Sequence, residues 1–78
     1  MKLIALNLPR DLSEQDIAEL FKTYGNIKAC NLVLNEDSGK SKGFAFVEMA
    51  LEHEGKIAIT ELHGSKVGKN KIRVKQAD

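Results

Sequence analysis

Lys42-Gly43-Phe44-Ala45-Phe46-Val47-Glu48-Met49 is the stretch that most restricts how this chain can fold. It holds two of the four aromatic residues, two positions apart. In a strand, residues i and i+2 point to the same face. Phe44 and Phe46 therefore share one face, and Ala45, Val47 and Met49 share the other. Periodicity alone does not say which face is buried, but side-chain content does. The Ala45, Val47 and Met49 face is wholly apolar, whereas the phenylalanine face also carries Lys42 and Glu48. The charged face is expected in water, with two phenyl rings standing on it. Exposed rings beside lysines suit a stacked, anionic ligand such as single-stranded nucleic acid.

The remaining sequence narrows the setting. Seventy-eight residues are read as one small domain, 1–78, with little stability to spare. Cys30 is the single cysteine, so no intrachain disulfide and no Cys-rich metal site is expected, which fits a reducing compartment. The apolar run Leu3 to Leu8 is too short for the core of a signal peptide, and acidic, helix-like sequence follows it. No stretch approaches the ~20 apolar residues of a membrane helix. The expectation is a cytoplasmic protein with no membrane association. A net charge of +1 gives no global electrostatic case for a polyanion. The distribution is more informative: Asp11 to Glu19 holds four acids and no bases, and Lys66 to Lys75 five bases and no acids. Such asymmetry makes a basic surface on a nearly neutral protein.

In chain order, residues 2 to 8 read as a buried strand, with a turn at Asn7-Leu8-Pro9-Arg10. Ser13 suits a helix N-cap, and the acids after it suit the first turn. Ile17, Leu20, Phe21 and Tyr24 recur at the spacing of an inward helical face, and Gly25 is expected to close the helix. Residues 27–34 read as a second strand, with Cys30 and Leu32 on one face and Asn31 and Val33 on the other. Cys30 is expected to be a small buried apolar residue. The polar run 35–41 is a hairpin loop. Residues 51–62 read as a second helix with Ile57, Ala58 and Leu62 inward and Ile59 flanking. Gly55 within it costs roughly 1 kcal/mol against alanine, so either the helix packs closely there or it starts later. After a basic turn at 66–70, Lys71 to Lys75 alternates, with Ile72 and Val74 inward and Lys71, Arg73 and Lys75 outward. The order is an α+β, ferredoxin-like βαββαβ pattern: a four-stranded antiparallel sheet with two helices on one face. Ile4, Leu6, Asn31, Val33, Phe44, Phe46, Arg73 and Lys75 are then expected on the open face.

At this point the sequence resembles the RNA recognition motif family over nearly its whole length. Residues 42–49 fit the family octapeptide, basic-Gly-aromatic-small-Phe-Val-any-aromatic, except that Met49 replaces the last aromatic. Leu3-Ile4-Ala5-Leu6-Asn7-Leu8 resembles the first-strand hexapeptide, with Ile4 where an aromatic is usual. Gly25-Asn26-Ile27, Ser38 to Phe44, and Ala58-Ile59 with Leu62-His63-Gly64 follow the same frame. Gly68-Lys69 stands one residue earlier than the usual Gly-Arg. The size resembles small stand-alone single-domain RNA-binding proteins. The resemblance implies that Phe46 stacks on a base, that Phe44 lies against ribose, and that one stacking platform is lost at Ile4. Stacking contributes ~1–3 kcal/mol per base, so modest affinity is expected, for two to four nucleotides.

The expected RNA-binding residues are Ile4, Leu6, Asn31, Lys40, Lys42, Phe44, Phe46, Arg73 and Lys75. Lys42, Arg73 and Lys75 are expected at phosphates or base edges, Asn31 and the backbone after Val74 at a base edge, and Lys40 closing over the strand. Glu48 would repel phosphate and narrow the path. The residues leave single-stranded DNA open as a ligand, because ribose contacts discriminate. A monomer is expected, with self-association through the sheet face left open. The rival class is a protein-interaction domain using the apolar sheet face or the helices. An enzyme is not expected: no nucleophile–base pair, phosphate-cradling loop or metal-ligand spacing occurs, and no cofactor is implied. His53 and His63 are expected to be surface polar residues.

Overall fold

A computed structural model describes residues 1–78. Its elements are β1 (Lys2–Leu6), α1 (Glu14–Lys22), β2 (Ile27–Leu34), β3 (Ser41–Met49), α2 (Glu52–Leu62), β4 (Lys66–Val67), β5 (Asn70–Lys71) and β6 (Arg73–Gln76). The four long strands form one sheet in the order β2-β3-β1-β6. Every neighbouring pair is antiparallel. This is the ferredoxin-like α+β architecture that the element order implied, with a small β4–β5 hairpin added.

Burial explains which face the helices cover. Leu3 and Ala5 of β1, Ala45, Val47 and Met49 of β3, and Val74 of β6 are buried. They meet Ile17 and Phe21 of α1 and Ala58 and Leu62 of α2 in one core, with Leu8 and Ile72 closing it. Each such larger side chain contributes about 1.5–3 kcal/mol on burial. Ser13 caps α1: its hydroxyl accepts from Asp16 N–H (3.1 Å), and Asp16 Oδ2 accepts from Ser13 N–H (3.0 Å). This reciprocal box satisfies two donors at a helix start.

Three boundaries and one helix facing differ from the sequence expectation. First, β1 stops at Leu6 because Asn7 takes φ +60°, a conformation that asparagine tolerates better than most residues. Second, α1 ends at Lys22 with Thr23 as C-cap, so Gly25 does not close the helix. Its missing side chain instead leaves room for Glu54, whose Oε1 accepts from Asn26 N–H (3.2 Å). Third, Ile57 does not face inward: it is 47% exposed. Gly55, Ala58 and Leu62 are the buried positions of α2, with Ile59 packed beside them. Fourth, Lys71 is not part of the last sheet strand. Residues 66–71 form the β4–β5 hairpin, in which Lys66 faces Lys71 and Val67 faces Asn70. Gly68, at φ +60°, occupies the first turn position, where two-residue hairpins need a residue free of a Cβ.

Gly55 sits within α2 because the helix packs closely there. A Cβ on it would lie 2.6 Å from Met1 Sδ and 3.2 Å from Met1 Cβ. Met1 is held in turn, since its ammonium donates to Met49 O (3.0 Å) and its carbonyl accepts from Met49 N–H (2.8 Å).

Both edge strands have an outward N–H occupied by a side chain. Leu32 N–H of β2 donates to Glu14 Oε2 (2.8 Å). Val74 N–H of β6 donates to His63 Nδ1 (3.1 Å). His63 is therefore a structural acceptor, beyond the surface role expected of it. Covered edges resist pairing with other chains, while the open face stays unobstructed.

Candidate nucleic-acid interface

β3 places its rings as the alternation requires. Ala45, Val47 and Met49 are buried, and Phe44 and Phe46 stand half-buried on the opposite face. Their centroids are 6.2 Å apart with planes at 83°. This edge-to-face packing is a favoured aromatic geometry. It covers part of each ring while leaving the rest available.

The strand register turns single residues into a platform. Ile4 of β1 lies opposite both Phe46 of β3 and Lys75 of β6, and Phe46 lies opposite Asn31 of β2. The row Lys75–Ile4–Phe46–Asn31 thus crosses all four strands. Leu6 lies opposite Arg73, and both line one cleft with Phe44. Asn31, Lys42, Arg73 and Lys75 are exposed, and Ile4 and Leu6 half-buried. Lys40 lies outside this array. It sits exposed on the β2–β3 turn, where its carbonyl accepts from Asn35 N–H (2.7 Å).

The charge on this face is predominantly positive. Glu48 is the expected intruder, but Lys28 Nζ lies 3.8 Å from its Oε2. Lys28 comes to the outer face through a register shift between Ile27 and Ala29, which leaves Ile27 opposite Met49 and Ala29 opposite Glu48. The pair is exposed and contributes little to stability, yet it offsets the one carboxylate among these residues. The only other ion pair in the molecule is Lys56–Glu52 on α2. Lys42, Arg73 and Lys75 therefore have no acid partner.

The cleft beside Phe44 measures about 250 Å³ and is also lined by Lys42, Gly43, Asn7 and Arg10. Gly43 has φ +85°, and a Cβ on it would lie 3.4 Å from Leu8 O and 3.7 Å from Arg10 Nε. The turn after β1 thus lies against β3 at ordinary contact distance, and it is the positive φ that favours glycine here. Arg10, Asn7 and Asn70 are not marked by the alternation, because Asn7 to Arg10 registers only as a turn. An asparagine ending a strand before proline is the available signal for a positive φ.

Cys30 is half-buried at the edge, with its Sγ 3.7 Å from Glu14 O. Burial, and secondarily the Glu14 carboxylate, push its thiol pKa up, so it is a poor nucleophile. No cluster of three or more His, Cys, Asp or Glu is positioned to hold a metal ion. No helix is long and apolar enough to cross a membrane.

The fold and face define a ferredoxin-like α+β domain that presents aromatic rings and unpaired cations on an open antiparallel sheet. The chain belongs to the RNA recognition motif family, which matches residues 6–73. It is 38% identical over 68 residues to cleavage and termination factor 1 of Schizosaccharomyces pombe, covering 87% of this chain and 19% of that protein. Among solved structures, it is similar to the RNA-binding protein PG1, with 32% identity and a TM-score of 0.95, covering 99% of this chain and 93% of that one. It is also similar to the Sxl-lethal protein/RNA complex, with 31% identity and a TM-score of 0.94, covering 99% and 46%. The chain spans about a fifth of the length of the curated relatives it matches.

Proposed function

We propose that this domain binds short single-stranded RNA across its open sheet face and performs no catalysis. One base stacks on Phe46. Phe44 packs against ribose, and Lys42, Arg73 and Lys75 take phosphates or base edges. Asn31, at the end of the central row, hydrogen-bonds a base edge. The observation that carries the reading is that row, Lys75–Ile4–Phe46–Asn31, in which a half-buried ring stands between an isoleucine and an amide, with a cation beyond the isoleucine, at fixed register. Family membership and the likeness to a protein solved with RNA support it. Affinity is modest, because Ile4 supplies an aliphatic contact where a second base would otherwise stack at ~1–3 kcal/mol.

The test is an amide-resolved titration of the labelled protein with short random single-stranded RNAs, run beside Phe46→Ala. Shifts confined to 42–48, Asn31 and 73–75, and lost in the variant, are expected. Absence of shifts at low salt and high RNA concentration defeats the proposal.

One observation favours a second reading, a protein-docking role for the helical side. A cleft of about 470 Å³ there is lined by Leu12, Leu20, Tyr24, Leu62 and Val67 with Asp16 and Glu19 at its rim. An apolar side chain carried on a basic peptide is the complement. Shifts at these residues on adding such a peptide, without RNA, would support it.

A further inference from the structure

The array of cations does not stop at the edge of the sheet. Beside the cleft at Phe44 lies a second one of about 610 Å³, between the loop after β1 and the β4–β5 hairpin. Arg10 and Asn70 line both, so the two are neighbours. Pro9, Asp11, Gly68 and Lys69 complete the outer one. Across the whole path the cations are Lys42, Arg73, Arg10 and Lys69, and the single acid is Asp11. None of the five makes an ion pair.

The walls are fixed before anything binds. Asn7 Nδ2 donates to Lys71 O (2.9 Å), and Asn70 Nδ2 donates to Asn7 O (3.1 Å). This reciprocal clip ties the hairpin to the end of β1 and holds Asn7 at its positive φ. Strain of this kind persists only where the surroundings enforce it. Arg10 lies along the backbone at Gly43, between the aromatic platform and the outer cleft. The outer cleft has no aromatic ring to stack a base. What it offers is charge, which suits the sugar-phosphate backbone and carries no sequence preference.

We infer that this groove is a second, sequence-independent subsite for single-stranded RNA. It holds the phosphates of the nucleotides flanking those on the sheet, with Arg10 and Lys69 as their cations. The inference rests on the sheet-face reading above and extends the bound strand past the sheet edge.

The test compares a fluorescent tetrauridylate with an octauridylate on the intact protein, its Arg10→Ala/Lys69→Ala variant and Phe46→Ala, by anisotropy across a salt series. Both substituted cations are exposed, so the fold should survive. Single-strand binding falls with log salt by about 0.7 per phosphate, so each contact is worth about fivefold between 1 M and 0.1 M salt. Losing two predicts an octauridylate affinity about 10- to 25-fold weaker at 0.1 M, with the slope reduced by about 1.4. Tetrauridylate binding should weaken by at most about fivefold, the share of Arg10 beside Phe44, since phosphates reaching Lys69 are absent from it. An unchanged octauridylate slope, or equal losses on both lengths, overturns the groove. In either case, loss of binding in Phe46→Ala leaves the sheet-face reading standing. Retention of wild-type affinity by Phe46→Ala, or no binding by the wild type, removes both.

Discussion

Replacing Ile4 by phenylalanine should make this domain bind RNA more tightly without harming its fold. The side chain at position 4 points to the open face, between Phe46 and Lys75. The buried residues on either side of it, Leu3 and Ala5, carry the core packing of β1, so a ring at 4 displaces nothing inside. Phenylalanine suits a strand about as well as isoleucine. A cross-strand aromatic partner for Phe46 adds about 0.2–1 kcal/mol at most. On binding, a ring offers a base a stack of ~1–3 kcal/mol. Isoleucine already supplies part of that as aliphatic contact, so the net gain should be about 1 kcal/mol, or about fivefold in Kd. The assay is anisotropy of a labelled short RNA at fixed salt, beside a thermal melt. Ile4→Leu serves as the control and should leave Kd unchanged. A folded Ile4→Phe protein with unchanged or weaker affinity would refute the reasoning, because it would mean that no base passes over β1.

Phe46→Ala should lower RNA affinity about 5- to 150-fold while moving the melting temperature little. Phe21→Ala should do the opposite, costing about 3–5 kcal/mol against a total of about 4–12 kcal/mol for a chain of this length, so a melt and a titration on both variants separate platform from core. Glu14→Ala should remove the edge cap on β2 at a cost of about 1 kcal/mol, read as faster hydrogen exchange at the Leu32 amide. Cys30, with its folded pKa raised above the usual 9.0 by burial and then by Glu14, should react slowly with thiol reagents at pH 8 until the protein is unfolded. A raised pKa favours the protonated fold, so its contribution to stability is complete below pH 9.0 and fades as pH climbs through the folded value. Denaturant melts from pH 8 to 10, with Cys30→Ala as reference, read that loss.

Where two periodicities agree, the sequence is easy to read. Residues 42–49 alternate strictly, and residues 72–74 repeat the pattern, so alternation alone assigns the inner and outer faces of β3 and β6. Ser13 announces α1 through its capping chemistry. Glycine is the weaker guide. Gly25 resembles a helix terminator, yet it accommodates Glu54, and Gly55 resembles a helix breaker, yet it accommodates Met1. Both are explained by long-range neighbours that no local pattern carries. Ile57 defies its pattern for a related reason: α2 is weakly amphipathic, so which of its nearby isoleucines turns inward depends on where the sheet lies. The same holds for the site. Phe44, Phe46, Arg73 and Lys75 are placed by alternation. Arg10 and Lys28 reach the site through a turn and a bulge, which shift position without leaving a period to follow.

The ligand-facing side and the core share one strand, and that sharing sets how each kind of residue contributes. Phe44 and Phe46 alternate with three buried residues, so their positions are held by the core itself. A base that stacks on them meets rings with little freedom left to lose, which raises the net return on each contact. The cations differ. Arg10, Lys42, Lys69, Arg73 and Lys75 are exposed and have no acid partners, so each gives up roughly 2 kcal/mol of rotamer entropy if fully immobilised. Their attraction acts over about 10 Å at 0.1 M salt, before any such ordering. Truncating a ring should therefore speed dissociation with little change in salt slope. Removing a cation should slow association and flatten the slope. Stopped-flow measurement of both rates for Phe46→Ala and Arg73→Ala at two salt concentrations separates these effects, and a Phe46→Ala defect confined to association would contradict a preformed platform.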